Sequence, residues 1–143
     1  KRLYIVNTSI TRNATTKLEN LKKENSTVDF INDLRKIATN FVEKSKSLNQ
    51  KEIQELLESY MKDAWKIKRM MYGVMTKELF DIEKKLFKAE FSVLKLLGAG
   101  GGGYFLVSYN GNNFENSKSE LDDNDLKLIK IEICKEGCSS SFF

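Results

Sequence analysis

The sequence predicts an α+β sandwich of the split βαβ, ferredoxin-like type, with a four-stranded, mostly antiparallel sheet and several helices gathered on one side. Three observations carry that expectation. An apolar, β-branched and aromatic segment opens the chain, Leu3-Tyr-Ile-Val-Asn-Thr8. A long stretch with apolar residues at helical spacing follows. The pattern then switches to short strand-like runs: Val93 to Leu97, Tyr104 to Tyr109 and Lys127 to Cys134.

The first strand alternates Leu3 and Ile5 with Tyr4 and Val6, which suits a sheet buried on one or both faces. Thr11 or Asn13 can cap a short helix whose Ala14, Leu18 and Leu21 share a stripe. Ser26-Thr-Val-Asp29 has the form of a capping box and opens a long helix with Val28, Ile31, Leu34, Ala38, Phe41 and Val42 on its apolar face. Asn49-Gln-Lys-Glu52 opens the next, along which Ile53, Leu56, Leu57, Tyr60, Met61, Ala64 and Ile67 recur, and Tyr72-Gly73 breaks it. A further helix follows Thr76 and buries Leu79, Ile82, Leu86 and Phe87. The polar connection from Asn110 to Asp125 accommodates one short helix, around Phe114 to Leu121.

Composition bounds the possibilities. With 143 residues and 41% hydrophobic content, the chain forms one domain, residues 1–143. That length buries about two-thirds of the unfolded surface and needs neither metal nor disulfide. No run approaches the roughly 20 apolar residues of a membrane helix and no signal peptide stands out, so the expected location is cytoplasmic, with no membrane partner. Cys134 and Cys138 lie close together, but the sequence contains no histidine to complete a zinc site, so free, reduced thiols and no metal ligands are expected. The absence of histidine also excludes histidine-based nucleophilic or general-base chemistry within these residues. The net charge is only +4 and basic residues alternate with acids, unlike a nucleic-acid stripe. Lys66, Lys68 and Arg69 form the densest basic cluster, either a solvated face or a region attractive to phosphate.

Five of the eight glycines fall in one six-residue loop, Gly98-Ala99-Gly100-Gly101-Gly102-Gly103. Consecutive residues without a Cβ between strands expose N–H groups that can form an anion-attracting concavity. Gly98, Gly100 and Gly103 formally satisfy G-x-G-x-x-G, but the dinucleotide fingerprint needs a helix afterwards, and Tyr104 to Tyr109 reads as a strand. No Gly-Lys-Ser/Thr follows, which excludes a Walker A loop.

Lys95-Leu-Leu-Gly-Ala-Gly-Gly-Gly-Gly103, followed by an apolar strand, resembles the third, C-terminal signature of the GHMP kinases, the family of galactokinase, homoserine kinase and mevalonate kinase. Leu97 stands where many members carry a hydroxyl residue. Leu3 to Ala14, with Thr8, Ser9, Thr11 and Arg12, is similar to the strand-then-helix entry of the branch containing heptose 7-phosphate kinases and related sugar-1-kinases, with Ser9 replacing the usual glycine. Asp63-Ala-Trp65-Lys66-Ile-Lys68 resembles the tryptophan–lysine helix of that branch, and Leu128 to Gly137 its closing strand and turn.

The resemblance implies the C-terminal half of an ATP-dependent sugar kinase that uses Mg²⁺. The family's main phosphate loop and catalytic aspartate have no counterpart here, so they are expected on an N-terminal ATP-binding domain of the same polypeptide. ATP and a sugar phosphate would meet between the halves, and this half alone would have no turnover. Gly98 to Gly103 would line the phosphate site. Arg12 is the first candidate for binding a sugar phosphate through its guanidinium fork. Thr11 adds a hydroxyl that serves equally well as a helix cap. Lys95 would face the cleft or solvent, and Trp65 reads as a packing anchor. Two other classes stay open: a non-catalytic ferredoxin-like module accommodating a small anion, and an RNA-binding sheet stacking bases on Tyr104 and Tyr109. The RNA reading lacks the aromatic pattern such sheets carry. Dimerisation of the chain through surface meant for the other half is also expected.

Overall fold

The computed structural model describes residues 3–11, 26–71, 73–98 and 100–131. Strand β1 covers Leu3–Asn7, and helices α1 (Ser26–Ser45), α2 (Gln50–Lys68) and α3 (Lys77–Lys88) precede strands β2 (Phe91–Leu96) and β3 (Tyr104–Tyr109). Helix α4 (Phe114–Asp122) and strand β4 (Leu128–Lys130) complete the described elements. The sheet order is β2-β3-β1-β4, and every neighbouring pair is antiparallel. β1 and β2 therefore run the same way with β3 inserted between them, and β3 and β4 run the same way with β1 between. That interleaving is the split βαβ, ferredoxin-like arrangement of an α+β fold.

The alternation read in β1 decides its facing. Tyr4 and Val6 are buried whereas Leu3 and Ile5 are half-buried. Tyr4 sits opposite Val107 and Val6 opposite Phe105, so their side chains meet on one sheet face. Val93 and Leu96 extend that face across β2. Phe91 is wholly enclosed, its ring 6.0 Å from Tyr4, 5.0 Å from Tyr109 and 6.3 Å from Phe114. Burying a side chain of this kind contributes about 1.5–3 kcal/mol. Leu94 is the extra residue of a bulge between Val93 and Lys95, which re-aims the end of β2 just before the glycine loop.

Helix boundaries follow their caps. The Asn49 side chain accepts from the Lys51 and Glu52 amides at 3.0 and 3.1 Å, and Glu52 accepts from the Asn49 amide at 2.8 Å, a complete capping box. Thr76 Oγ1 accepts from the Leu79 amide at 3.2 Å. At the far end of α3, Glu90 adopts a left-handed φ of 62° where a glycine would be the usual stop, and β2 begins two residues earlier than its sequence suggests. The helix expected in the polar connection forms as α4.

Helix α1 differs from its sequence reading. Val28, Ile31 and Val42 are 62%, 55% and 55% exposed. The half-buried residues are Phe30, Leu34, Ile37 and Phe41, whose ring lies 5.8 Å from Tyr60 of α2. Leu34 and Phe41 face inward as expected, but the aromatic contact with α2 rotates the stripe so that Phe30 and Ile37 join them and Val28, Ile31, Ala38 and Val42 face out. On α3, Phe87 is likewise exposed where burial was expected. The short helix expected over Ala14 to Leu21, the last strand beyond Ile131, and both cysteines lie outside the described residues. No described helix is long and apolar enough to cross a membrane.

Candidate functional site

The glycine loop joins β2 to β3 and is folded back onto the exit of β1. The Leu97 amide donates to Tyr104 O at 2.8 Å, closing the hairpin. Beyond it, the Gly101 amide donates to Val74 O at 2.9 Å and the Gly103 amide to Ile10 O at 3.0 Å. In return, the Thr8 amide and hydroxyl both donate to Gly103 O, at 2.9 and 2.7 Å. Thr8 Oγ1 also accepts from the Ile10 amide at 3.3 Å, shaping the turn out of β1. Two backbones are thus laced together where β1 ends.

That contact explains one glycine sterically. A Cβ on Gly102 would sit 2.2 Å from Ile10 O and 2.9 Å from Ile10 C, which are backbone atoms that cannot swing aside. Gly98 is needed for another reason: its φ is 82°, while an added Cβ would meet nothing within 4 Å.

The lacing also sorts the donors. Gly101 and Gly103 turn their N–H groups inward, whereas those of Gly98, Gly100 and Gly102 have no acceptor among the described residues. Of the six loop positions expected to meet phosphate, three therefore retain a donor for a ligand, and Ala99 lies outside the described residues. Arg12 lies outside them as well; Thr11, immediately before it, is exposed. The Thr8–Ile10 segment that leads to Arg12 is the one pinned to the loop.

Lys68, read from the sequence only as one member of a basic cluster and of the tryptophan–lysine helix, reaches the loop. Its ammonium donates to Leu96 O at 3.0 Å and Gly98 O at 2.9 Å, holding the first turn of the loop from the α2 side. Partial burial, and next the Lys95 ammonium, lower the Lys68 pKa from the ordinary lysine value. Lys95 itself is exposed on β2. The available signal was the three-residue spacing from Trp65, which puts both side chains on one helix face.

Trp65 is the anchor that makes this possible. Its ring packs edge-on to Phe105 at 5.8 Å, and its Nε1–H donates to Glu83 Oε1 at 2.8 Å. Glu83 is 1% exposed, and its other oxygen accepts from Arg69 at 2.5 Å. A buried carboxylate paired on both oxygens fixes α2 to α3, and Lys68 is carried one turn beyond Trp65 to the loop. Ser108 likewise donates to the buried Glu58 carboxylate at 3.0 Å, tying α2 to β3.

The arrangement offers backbone donors and cationic side chains beside a rigid loop, which suits contact with an anion. Among the described residues, no group of three or more His, Cys, Asp or Glu could hold a metal ion. No family model, curated protein or solved structure matches this chain.

Proposed function

We propose that this chain forms the C-terminal wall of an ATP-dependent sugar kinase of the GHMP type, acting on the anomeric hydroxyl of a heptose 7-phosphate or similar sugar. The observation that carries the reading is the glycine ribbon fastened backbone to backbone against Thr8–Ile10, with the Gly98, Gly100 and Gly102 amides left over. Phosphoryl transfer rests mainly on positioning and charge stabilisation. A fixed ribbon with spare donors and no side chains lets a phosphoryl group come close, and Arg12, following the pinned segment, would bind the sugar phosphate. Mg²⁺ would bridge the nucleotide phosphates, held chiefly by the N-terminal half.

The test is an ADP-release assay with Mg-ATP and a panel of sugar 1-hydroxyl acceptors, including heptose 7-phosphate. It is run on the isolated chain and on the chain joined to a GHMP N-terminal domain. The joined protein turns over a sugar phosphate, loses activity in Arg12→Ala, and the isolated chain is silent. Robust turnover by the isolated chain, or a joined protein that is folded yet inert toward every acceptor, overturns the reading.

A further inference from the structure

A cavity of about 410 Å³ opens between α1, α2 and β2, with Lys68, which holds the glycine loop, in its lining. Ligand-holding clefts span about 300–1,000 Å³. Leu34, Met61, Ala64, Trp65 and Leu94 give it apolar walls, and Lys68 and Lys95 are the charged side chains that line it. The space is large enough for a short chain or an aromatic ring, and apart from these two ammonium groups the lining side chains are apolar.

The charges are unbalanced. Neither lysine has a carboxylate partner among the described residues. Lys68 spends two of its three N–H donors on Leu96 O and Gly98 O and keeps one. Lys95 repels it closely enough to lower its pKa, after burial. Two like charges on one apolar cavity are relieved by a single anion between them, while an uncharged apolar guest would leave the repulsion in place.

We propose that this cavity binds an amphiphilic carboxylate, its short acyl or aromatic body against Leu34, Met61, Ala64, Trp65 and Leu94 and its head shared by Lys68 and Lys95. The cavity meets the glycine loop only through Lys68, which bonds Gly98 O, and its apolar walls belong to α1, α2 and β2, so the inference does not rest on the kinase reading.

Trp65 is the only tryptophan in the sequence, so its emission reports on the cavity directly. The probe is 8-bromooctanoate, whose heavy atom quenches tryptophan on contact, titrated into the 143-residue chain with octanoate and 1-octanol as competitors. For a ligand of this size, saturable quenching with a midpoint of roughly 0.1–1 mM is expected. Octanoate reverses it and 1-octanol does so at least several-fold less well. Lys95→Ala, at an exposed position, weakens binding about threefold, the scale of one partly screened ion pair. Ala64→Phe, whose ring occupies the cavity, abolishes saturation, and Leu34→Phe does the same from the α1 side should the first variant fail to melt cooperatively. Quenching that rises linearly without saturation, equal competition by the alcohol, or full binding in a folded cavity-filled variant each overturns the proposal.

Discussion

Replacing Gly102 by alanine tests whether the glycine ribbon is built as described. The new Cβ would stand 2.2 Å from the Ile10 carbonyl oxygen, against the 3.4 Å of ordinary contact. Relief requires the two backbones to part by about 1 Å, and overpacking of this kind costs about 1–3 kcal/mol. The movement also stretches the Gly103 N–H bond to Ile10 O, now 3.0 Å, and the paired donations from Thr8. Losing one such bond adds about 1 kcal/mol, giving about 2–4 kcal/mol in total. Gly98→Ala is the internal control, because only its φ of 82° opposes a side chain and nothing lies within 4 Å. A left-handed residue with a Cβ costs about 1–2 kcal/mol. Urea unfolding followed by Trp65 fluorescence reads both. With a slope of about 2 kcal/mol per molar urea, Gly102→Ala shifts the midpoint by about 1–2 M and Gly98→Ala by less. Equal midpoints for Gly102→Ala and the unsubstituted chain would refute the backbone-to-backbone contact.

Other expectations concern the helix that holds the loop. Lys68→Met removes two donations to loop carbonyls and is expected to destabilise the fold by about 1–2 kcal/mol in the same urea assay. The pH dependence has a definite sign: a Lys68 pKa below 10.5 in the folded state means the unfolded chain binds more protons in that window. The stability of the unsubstituted chain relative to Lys68→Met therefore grows as pH rises toward 10.5, and a flat or falling difference contradicts the burial of Lys68. Trp65→Phe leaves one oxygen of the buried Glu83 carboxylate without its donor and is expected to cost about 2–3 kcal/mol by thermal or urea unfolding. In a double-mutant cycle with Glu83→Gln, a coupling of at least about 0.5 kcal/mol is expected, and additivity contradicts the contact.

How far the sequence could be read depended on which backbone interactions leave a mark in residue type. The Asn49 to Glu52 box and the Thr76 cap are written in side chains, and both helix starts are where they were expected. The four-stranded α+β class was legible in the run of helices between strand-like segments, whereas the buried face of β1 and the strand order are decided by pairing and packing. The end of α3 left no such mark, because Glu90 supplies a left-handed turn that glycine normally signals. The facing of α1 was ambiguous for a different reason: two apolar stripes compete, and only the ring contact of Phe41 with Tyr60 decides between them. At the site, the cluster of glycines was visible, but the use of each N–H was not, since its partner is a backbone carbonyl at Val74 or Ile10 rather than a recognisable side chain. Lys68 was obscured by its neighbours. Lys66 bridges Asp63 at 2.8 Å on the wet face, and Lys68, two residues on, points to the loop instead.

The division of labour along the ribbon has a geometric origin. Fastening Gly101 and Gly103 to Val74 and Ile10 commits their N–H groups and leaves that of the intervening Gly102 without an acceptor among the described residues. The close approach that excludes a Cβ at Gly102 holds this uncommitted donor in a fixed stretch of backbone. Lys68 acts on the same ribbon from its first turn, where its charge engages the Leu96 and Gly98 carbonyls and leaves the Gly98 amide unused. A loop held through one set of groups while the alternate donors stay uncommitted is preorganised for an anion, because little backbone entropy remains to be lost when the ligand arrives. Loosening either fastening should then weaken anion binding even where no contacting group is removed. Lys68→Met offers that separation: in a variant that still folds, a loss of phosphate affinity with every ribbon amide intact would trace binding to the stiffness of the loop, and unchanged affinity would trace it to the amides alone.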